Sequence, residues 1–403
     1  MNFSSRKLLR IIWKTAAGFL LSVFLFLALT EFSPIYRFRA PEPFSGRDIF
    51  NPYRHLDTTL GWKRANFHTH TRVKGPWPVN ECPYWPDSVQ GAYHRLGYDI
   101  VTFSNHNELT THPTDSTLQV NVYEHGYNFF KYHKLVFGCD KVIHFDPMLP
   151  LLPSQKQFAM EYLGRSADLI QMNHPFRTGG TSPDVMRKLS GYSIMELDSG
   201  VSTENEYWDW ALSAGHYSFA LANDDLHYPD CSYLIGVRCN FLNTPSGRYE
   251  DLKATLLDGC YYSMRVPDYG AGDWTVKYER NASLPFVREI GLRDSTIYLR
   301  LSAEADSIKV TGQDHRRLAL ACETKDLAYA MQPEDRYARF TAFFPDGAVL
   351  YSNPFARYDA SVSDSPLNNA PQEVDILLSV LFNLLVAAVC ALLLYLLLKV
   401  IKA

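Results

Sequence analysis

From residue 63 to residue 265 the chain repeats one rhythm: a short apolar run, a polar turn, and an amphipathic stretch leading to the next apolar run. The runs "ANFHTH", "YDIVTFS", "LQVNVYE", "KLVFG", "ADLIQM", "YSIMELD" and "SFALAND" predict buried strands, being short, apolar and bounded by turn formers. Between several of them "PDSVQGAYHRLG", "SQKQFAMEYLG", "SPDVMRKLSG" and "ENEYWDWALSAG" predict helices; the first has Asp87 near its start and Gly97 at its end. Strand, helix, strand repeated this often predicts an α/β fold with a parallel sheet, open or closed. After residue 266 the rhythm changes. "STIYLRLS", "DSIKVTG", "RYARFTAFFP" and "GAVLYSNPF" predict short strands separated by Gly, Asp and Pro turns, hence a small β-sandwich-like domain over residues 266–358. The acidic, Pro- and Asn-containing stretch 359–375 reads as a linker, as does 31–62.

The ends follow neither pattern. Residues 376–398, "ILLSVLFNLLVAAVCALLLYLLL", carry no charge and as a helix would span roughly 34 Å, enough for a hydrocarbon core of about 30 Å. They predict a transmembrane helix. Residues 11–30 reach spanning length if Lys14 snorkels, and predict an uncleaved anchor; a cleaved signal peptide is the alternative. Arg6, Lys7, Arg10 and Lys14 accompany the first segment and Lys399 and Lys402 follow the second. This asymmetry puts the tails 1–10 and 399–403 in the cytoplasm and the body outside it, in the cell envelope.

Charge and cysteine content narrow the function. The net charge of −4 is spread along the chain, without the basic footprint of a nucleic-acid binder, so no nucleic-acid partner is predicted. Of seven cysteines, Cys390 lies in the C-terminal apolar run; the other six contain no CxxC pair, which disfavours a thiolate zinc site and leaves disulfides and buried thiols both open. The oligomeric state has no sequence signal.

The candidate chemistry sits at the strand ends. His68 and His70 end the first run, His106 follows the second, Glu124 ends the third, His174 follows the fifth, and Asp225 and His227 follow the seventh. Residues two apart in an extended chain share a face, so HxH and DxH each present two donors together. Singly these are weak signals, since core-edge histidines and loop-capping aspartates look the same. In a β/α barrel, however, strand ends scattered along the sequence converge on one face. No GxSxG elbow, P-loop or dinucleotide motif competes with this set.

In order and spacing, "NFHTH", "FSNHN", "YEHGYNFFKYHKLVFG", "IQMNHPF", "IMELDSG" and "ALANDDLH" resemble the PHP family, the polymerase and histidinol phosphatase metalloesterases. The resemblance implies a distorted TIM-like (β/α)7 barrel over residues 63–265, with two or three divalent ions (Zn, Mn or Fe) at its C-terminal face. By that resemblance His68, His70 and Asp225 hold one metal, Glu124 bridges to a second held by His133 and His174, and His106 and His227 match a third position. Glu196 matches a supporting acid. Two departures stand out: "TRVKGPW" lacks the Asp or His common just beyond HxH, and Asn105 precedes His106 where Asp is usual. The tail after residue 266 is more loosely similar to exported PHP hydrolases related to the CehA/McbA metallohydrolases.

The implied function is a membrane-anchored phosphoesterase acting on a small phosphorylated substrate outside the cytoplasm, with the bilayer as its second partner. Asp225, His227 and Arg177 are the catalytic candidates. Arg177 is suited to clamp a phosphate oxygen, with Arg72 and Lys74 as further candidates, although a solvated loop arginine would look the same. Amide or carbamate hydrolysis on the same scaffold and a non-catalytic envelope binding protein are the alternatives.

Overall fold

The computed structural model describes residues 3–74, 80–178, 181–199, 202–203, 205–267, 272–367 and 370–402. The "GPWPV" part of the loop after "HTHTRVK" lies outside them.

All seven expected strands form: β1 Lys63–Asn66, β2 Ile100–Val101, β3 Val122–His125, β4 Lys134–Phe137, β5 Leu169–Met172, β6 Ile194–Ser199 and β7 Phe219–Asn223. The helices Pro86–Arg95, Pro153–Gly164 and Pro183–Met186 each begin with a proline, whose fixed φ and missing N–H suit the first helical position. The last of these is a single turn, shorter than its sequence suggests. Asn205–Ser213 precedes β7.

The expectation of a distorted TIM-like (β/α)7 barrel is not met: among the described residues no sheet closes. Strands β7-β6-β5-β4-β3 form one sheet, with Ser202–Thr203 paired to β6, whereas β1 and β2 belong to a second sheet of eleven strands. The ring is open at two seams, β2/β3 and β7/β1, and one strand inside it is reversed. The eight residues between β3 and β4 are too few for a parallel crossover, so β4 runs antiparallel to both β3 and β5, while β5, β6 and β7 run parallel. At the β7/β1 seam, side-chain amides replace the ladder. Asn240 Oδ1 accepts from the Ala222 N–H (2.9 Å), its Nδ2 donates to the carbonyls of Ala222 (2.8 Å) and Ala65 (3.4 Å), and Asn223 Oδ1 accepts from the Phe67 N–H (3.0 Å). The free edge of β1 is taken instead by Arg238–Leu242, in antiparallel pairing. Across the two seams only isolated parallel bridges remain, Thr69 to Leu226 and His106 to Glu124.

From Arg238–Leu242 the second sheet continues through Tyr261–Arg265, Val349–Ser352, Tyr337–Phe343 and the long strand Thr296–Gly312, which pairs with Val287–Arg293 and Arg317–Ala330. It therefore crosses residue 266 without a break. Two buried carboxylates tie it to the β3–β7 unit through three ion pairs: Asp198 with Arg238 (2.6 Å) and Arg265 (2.7 Å), and Asp209 with Arg339 (2.6 Å).

Helices Phe3–Leu29 and Ile376–Lys402 pack against each other, and both are long and apolar enough to cross a membrane. Polar clips join their bases. Asn383 exchanges two hydrogen bonds with the Ser33 backbone (3.2 and 2.9 Å), Ser379 Oγ accepts from the Ile35 N–H (2.8 Å), and Tyr36–Arg37 pairs antiparallel with Glu373–Val374.

Candidate metal centre

The fold brings one end of each of β1–β7 to a common face, because the reversed β4 starts where its neighbours end. His68 and His70 leave β1 with both rings turned to that face; each is almost completely buried. His106 and Glu124 meet at one seam, and the chain around Asp225 meets that around His70 at the other, where the His70 N–H donates to the Leu226 carbonyl (2.9 Å). The two openings of the ring are thus where the candidate ligands gather.

Glu124 is the centre of the arrangement. Its Oε1 lies 3.2 Å from His68 Nε2, 3.1 Å from His133 Nδ1 and 3.3 Å from His174 Nε2. Its Oε2 lies 3.3 Å from His70 Nε2 and 3.1 Å from His106 Nε2. Asp225 Oδ1 is 3.3 Å from both His68 Nε2 and His70 Nε2. Burial alone would push the Glu124 carboxyl up, but His68, His106 and His133 outweigh it and hold Glu124 well below the usual carboxylate range. Burial opposes charge on His68 as well, yet Glu124, Asp225 and Glu196 hold its pKa well above the ordinary imidazole value. His133 goes the other way, pulled down to about 4 by burial.

Among the described residues three groups have ligand atoms within 4.8 Å of one another: His68, His70, Glu124 and Asp225; His70, Glu81 and His106; and His106, Glu124 and His133. The first is the set expected for one metal. His133 and His174 both lie beside Glu124 Oε1, and His174 falls outside the tight groups. Buried donor atoms make the test of fit. His68 Nε2 and His70 Nε2 face the cluster without a hydrogen-bond partner, in a pocket walled by carboxylates, a donor set that suits a divalent cation.

Glu81 is the residue that the sequence did not reveal. Its Oε2 lies 3.2 Å from His106 Nε2, 3.2 Å from His227 Nε2 and 4.0 Å from His70 Nδ1. It stands eleven residues after His70, beyond the "TRVKGPW" stretch, which contains no acid. Its sequence signal is slight: an acid in a loop, a few residues beyond the HxH pair.

Below the ligands lies a buried polar floor. Glu196 Oε1 accepts from His68 Nδ1 (2.9 Å) and Asn223 Nδ2 (3.2 Å), and its Oε2 accepts from the His174 N–H (3.0 Å). Fixing Nδ1 as donor turns His68 Nε2 toward the cluster. Asn173 Nδ2 donates to Glu124 Oε1 (2.8 Å). Asn105 does not touch the His106 ring: its amide holds the Thr71 N–H (2.7 Å) and the hydroxyls of Thr71 and Thr110. In "NDDLH" the two acids divide the work. Asp224 caps the next loop, accepting from the N–H groups of Gly236, Val237 and Arg238 and from Tyr93 Oη, while Asp225, at φ 50°, faces the cluster. Arg177 Nη1 ion-pairs with Asp225 Oδ2. Arg72 and Lys74 lie exposed at the rim, and His125, buried, bonds the Phe145 carbonyl (2.9 Å) as a structural residue.

No family model matches the chain, and no curated protein matches it. Two solved structures are similar. One, from Bacteroides vulgatus, is a two-domain protein containing a predicted PHP-like metal-dependent phosphoesterase (TM-score 0.38, 14% identity, covering 83% of this chain and 97% of that one). The other is a lesion-specific endonuclease from Pyrococcus furiosus (TM-score 0.31, 13% identity, 49% of this chain and 56% of that one). Likenesses this low carry neither fold nor chemistry over; the geometry of the cluster has to stand by itself.

Proposed function

We propose that the chain is a metal-dependent phosphoesterase of the PHP type, anchored by its two terminal helices with the body on the extracytoplasmic side and both termini in the cytoplasm. One observation carries the reading: Glu124 belongs both to the tight group with His68, His70 and Asp225 and to the tight group with His106 and His133, the position of a carboxylate shared between two cations. His68, His70 and Asp225 would hold one ion on Glu124, His133 and His174 a second, and His106, Glu81 and His227 a third. Such ions, when bound, make water a usable nucleophile near neutral pH and neutralise charge on a phosphoryl group.

The remaining roles belong to the chain's own groups. Arg177 is partly exposed beside Asp225 and can turn its guanidinium to a phosphate oxygen without leaving the rim. When the third position is unfilled, His227, the most exposed imidazole of the set and hydrogen-bonded through Nδ1 to the Asp225 carbonyl (2.9 Å), is placed to hold a proton at Nε2 next to the substrate. Residues 63–265 form the catalytic unit in this reading, and 266–358 complete its sheet. The antiparallel helix pair supports the topology, since the Lys7, Arg10 and Lys14 end and the Lys399 and Lys402 end lie together, away from the body.

The test uses detergent-purified full chain, stripped with chelator and reloaded with zinc, manganese or iron. It should hydrolyse p-nitrophenyl phosphate only when reloaded, and Glu124→Ala should abolish both turnover and metal retention. Metal-independent turnover, or turnover of an amide or carbamate panel with none of phosphate esters, would sink the proposal.

A further inference from the structure

The same face that gathers the candidate ligands is the face from which the N-terminal helix departs. The loop 126–133, which carries His133, lies against the loop 145–149: His125 Nε2 bonds the Phe145 carbonyl, the Tyr127 N–H donates to Asp146 (2.9 Å), and the Phe129 N–H donates to the Met148 carbonyl (3.1 Å). That second loop is tied to the base of the helix. The Met148 N–H donates to Thr30 Oγ1 (3.1 Å) and the Leu149 N–H to Glu31 Oε1 (2.9 Å). From there the chain runs along the body toward the opposite end, with the Tyr36 N–H on Ser154 Oγ (3.1 Å) and the Glu42 N–H on the Ala214 carbonyl (3.1 Å), just past the far end of helix Asn205–Ser213. The helix therefore extends beyond the ligand face, so a bilayer holding it lies on that side of the body.

The surface there fits a bilayer. Leu151, beside the base of the first helix, is 67% exposed; Phe129 (66%), Trp85, Phe176 and Tyr228 are also exposed, these four each within four residues of a cluster residue. Arg72, Lys74 and Lys131 are exposed among them, together with Asp230. Exposed aromatic and aliphatic side chains interspersed with basic ones form the usual contact with a lipid headgroup region. An apolar recess of about 340 Å³ opens beside this rim, lined by Leu151 and Leu152 of the body, Ala28 of the first helix and Phe382, Leu385 and Val389 of the second. Its walls are continuous with the apolar helices.

We propose that the ligand face rests on the membrane and that the substrate is a phosphate ester in a lipid headgroup, presented by the leaflet on which the body sits. This substrate class rests on the phosphoesterase reading. In the reaction, the oxygen of water bonds to phosphorus, the ester P–O bond breaks, and the departing lipid or headgroup oxygen takes the proton that water gives up.

The experiment reconstitutes the metal-loaded full chain in phosphatidylcholine vesicles carrying phosphatidate and phosphatidylglycerol, with soluble p-nitrophenyl phosphate as the comparison. Benzoylphenylalanine is placed at position 151 or, as a control, at exposed position 165 at the far end of helix Pro153–Gly164. The expected result is lipid crosslinking from 151 and not from 165, turnover of a vesicle lipid at least about tenfold faster than of the soluble ester, and about tenfold loss of lipid turnover in Leu151→Asp with the soluble rate unchanged. Hydrolysis of the soluble ester without any lipid turnover overturns the substrate class, with or without crosslinking; equal crosslinking at both positions overturns the orientation. Failure to hydrolyse the soluble ester as well is a failure of the phosphoesterase reading itself.

Discussion

Replacing Glu196 by glutamine tests whether the buried floor sets the metal affinity. The carboxylate has no solvent exposure, and both of its oxygens are acceptors: Oε1 for His68 Nδ1 (2.9 Å), Asn223 Nδ2 (3.2 Å) and Gln171 Nε2 (3.4 Å), and Oε2 for the His174 N–H (3.0 Å). A glutamine is nearly isosteric but must turn its NH₂ toward one of these sets of donors. The less costly choice faces it to the His174 N–H, leaving two buried donors opposed, a loss of about 1–3 kcal/mol. The bond to His68 survives as a neutral one, so the imidazole loses the negative charge that makes its Nε2 a better donor to a cation. Loss of such an outer partner lowers metal affinity by about 10–100-fold, equivalent to about 1.4–2.7 kcal/mol. Competition titration of the stripped protein with zinc against a chromophoric chelator reads the affinity, and thermal unfolding in excess chelator reads stability alone. Glu196→Gln should weaken zinc by one to two orders of magnitude and lower the metal-free transition. Unchanged affinity with lowered stability would show that Glu196 only holds the fold, and would refute the reasoning.

Two further outcomes follow from particular side chains. Glu81→Ala should remove about one equivalent of bound metal, measured by elemental analysis against wild type, and spare the ions on Glu124; loss of every equivalent, or of none, contradicts a separate position built on Glu81, His106 and His227. Burial would raise the Asp209 carboxyl, but Arg339 holds it down to about 2. With a folded pKa below the unfolded value of about 3.8, the stabilisation of about 2 kcal/mol is fully present above pH about 4 and disappears as pH falls through about 2. Urea unfolding at stepped pH should therefore show wild type losing stability across that window, and Asp209→Asn, already destabilised by about 3–5 kcal/mol because Arg339 is left buried and unpaired, should lack that step.

How far the sequence could be read depended on the kind of signal each element left. The β1–β7 strands were legible because burial on both faces writes continuous apolar runs, and His68, His70, His106, Glu124, His174 and Asp225 were legible as polar residues placed where those runs stop. Closure of the ring was not, because the openings lie at β2/β3, where an isolated bridge joins His106 to Glu124, and at β7/β1, where Asn240 is an amide whose substitution for a ladder has no periodicity. Strand Arg317–Ala330 was also missed. It pairs with Thr296–Gly312 and is largely exposed, so its Ala, Leu, Glu and Lys content follows helix propensity more than a buried pattern. Glu81 escaped for a related reason: one acid in a loop has no period and no motif, and only its contacts with His106 and His227 give it meaning.

The central claim is that Glu124 lies between two cations, and anomalous diffraction from crystals of the manganese- or zinc-loaded protein tests it most directly. The account predicts two anomalous peaks, one on each side of the Glu124 carboxylate, the first within about 2.0–2.3 Å of ligand atoms of His68, His70 and Asp225 and the second at the same range from His133 and His174. No peak beside Glu124, or ions bound only elsewhere on the molecule, would contradict it.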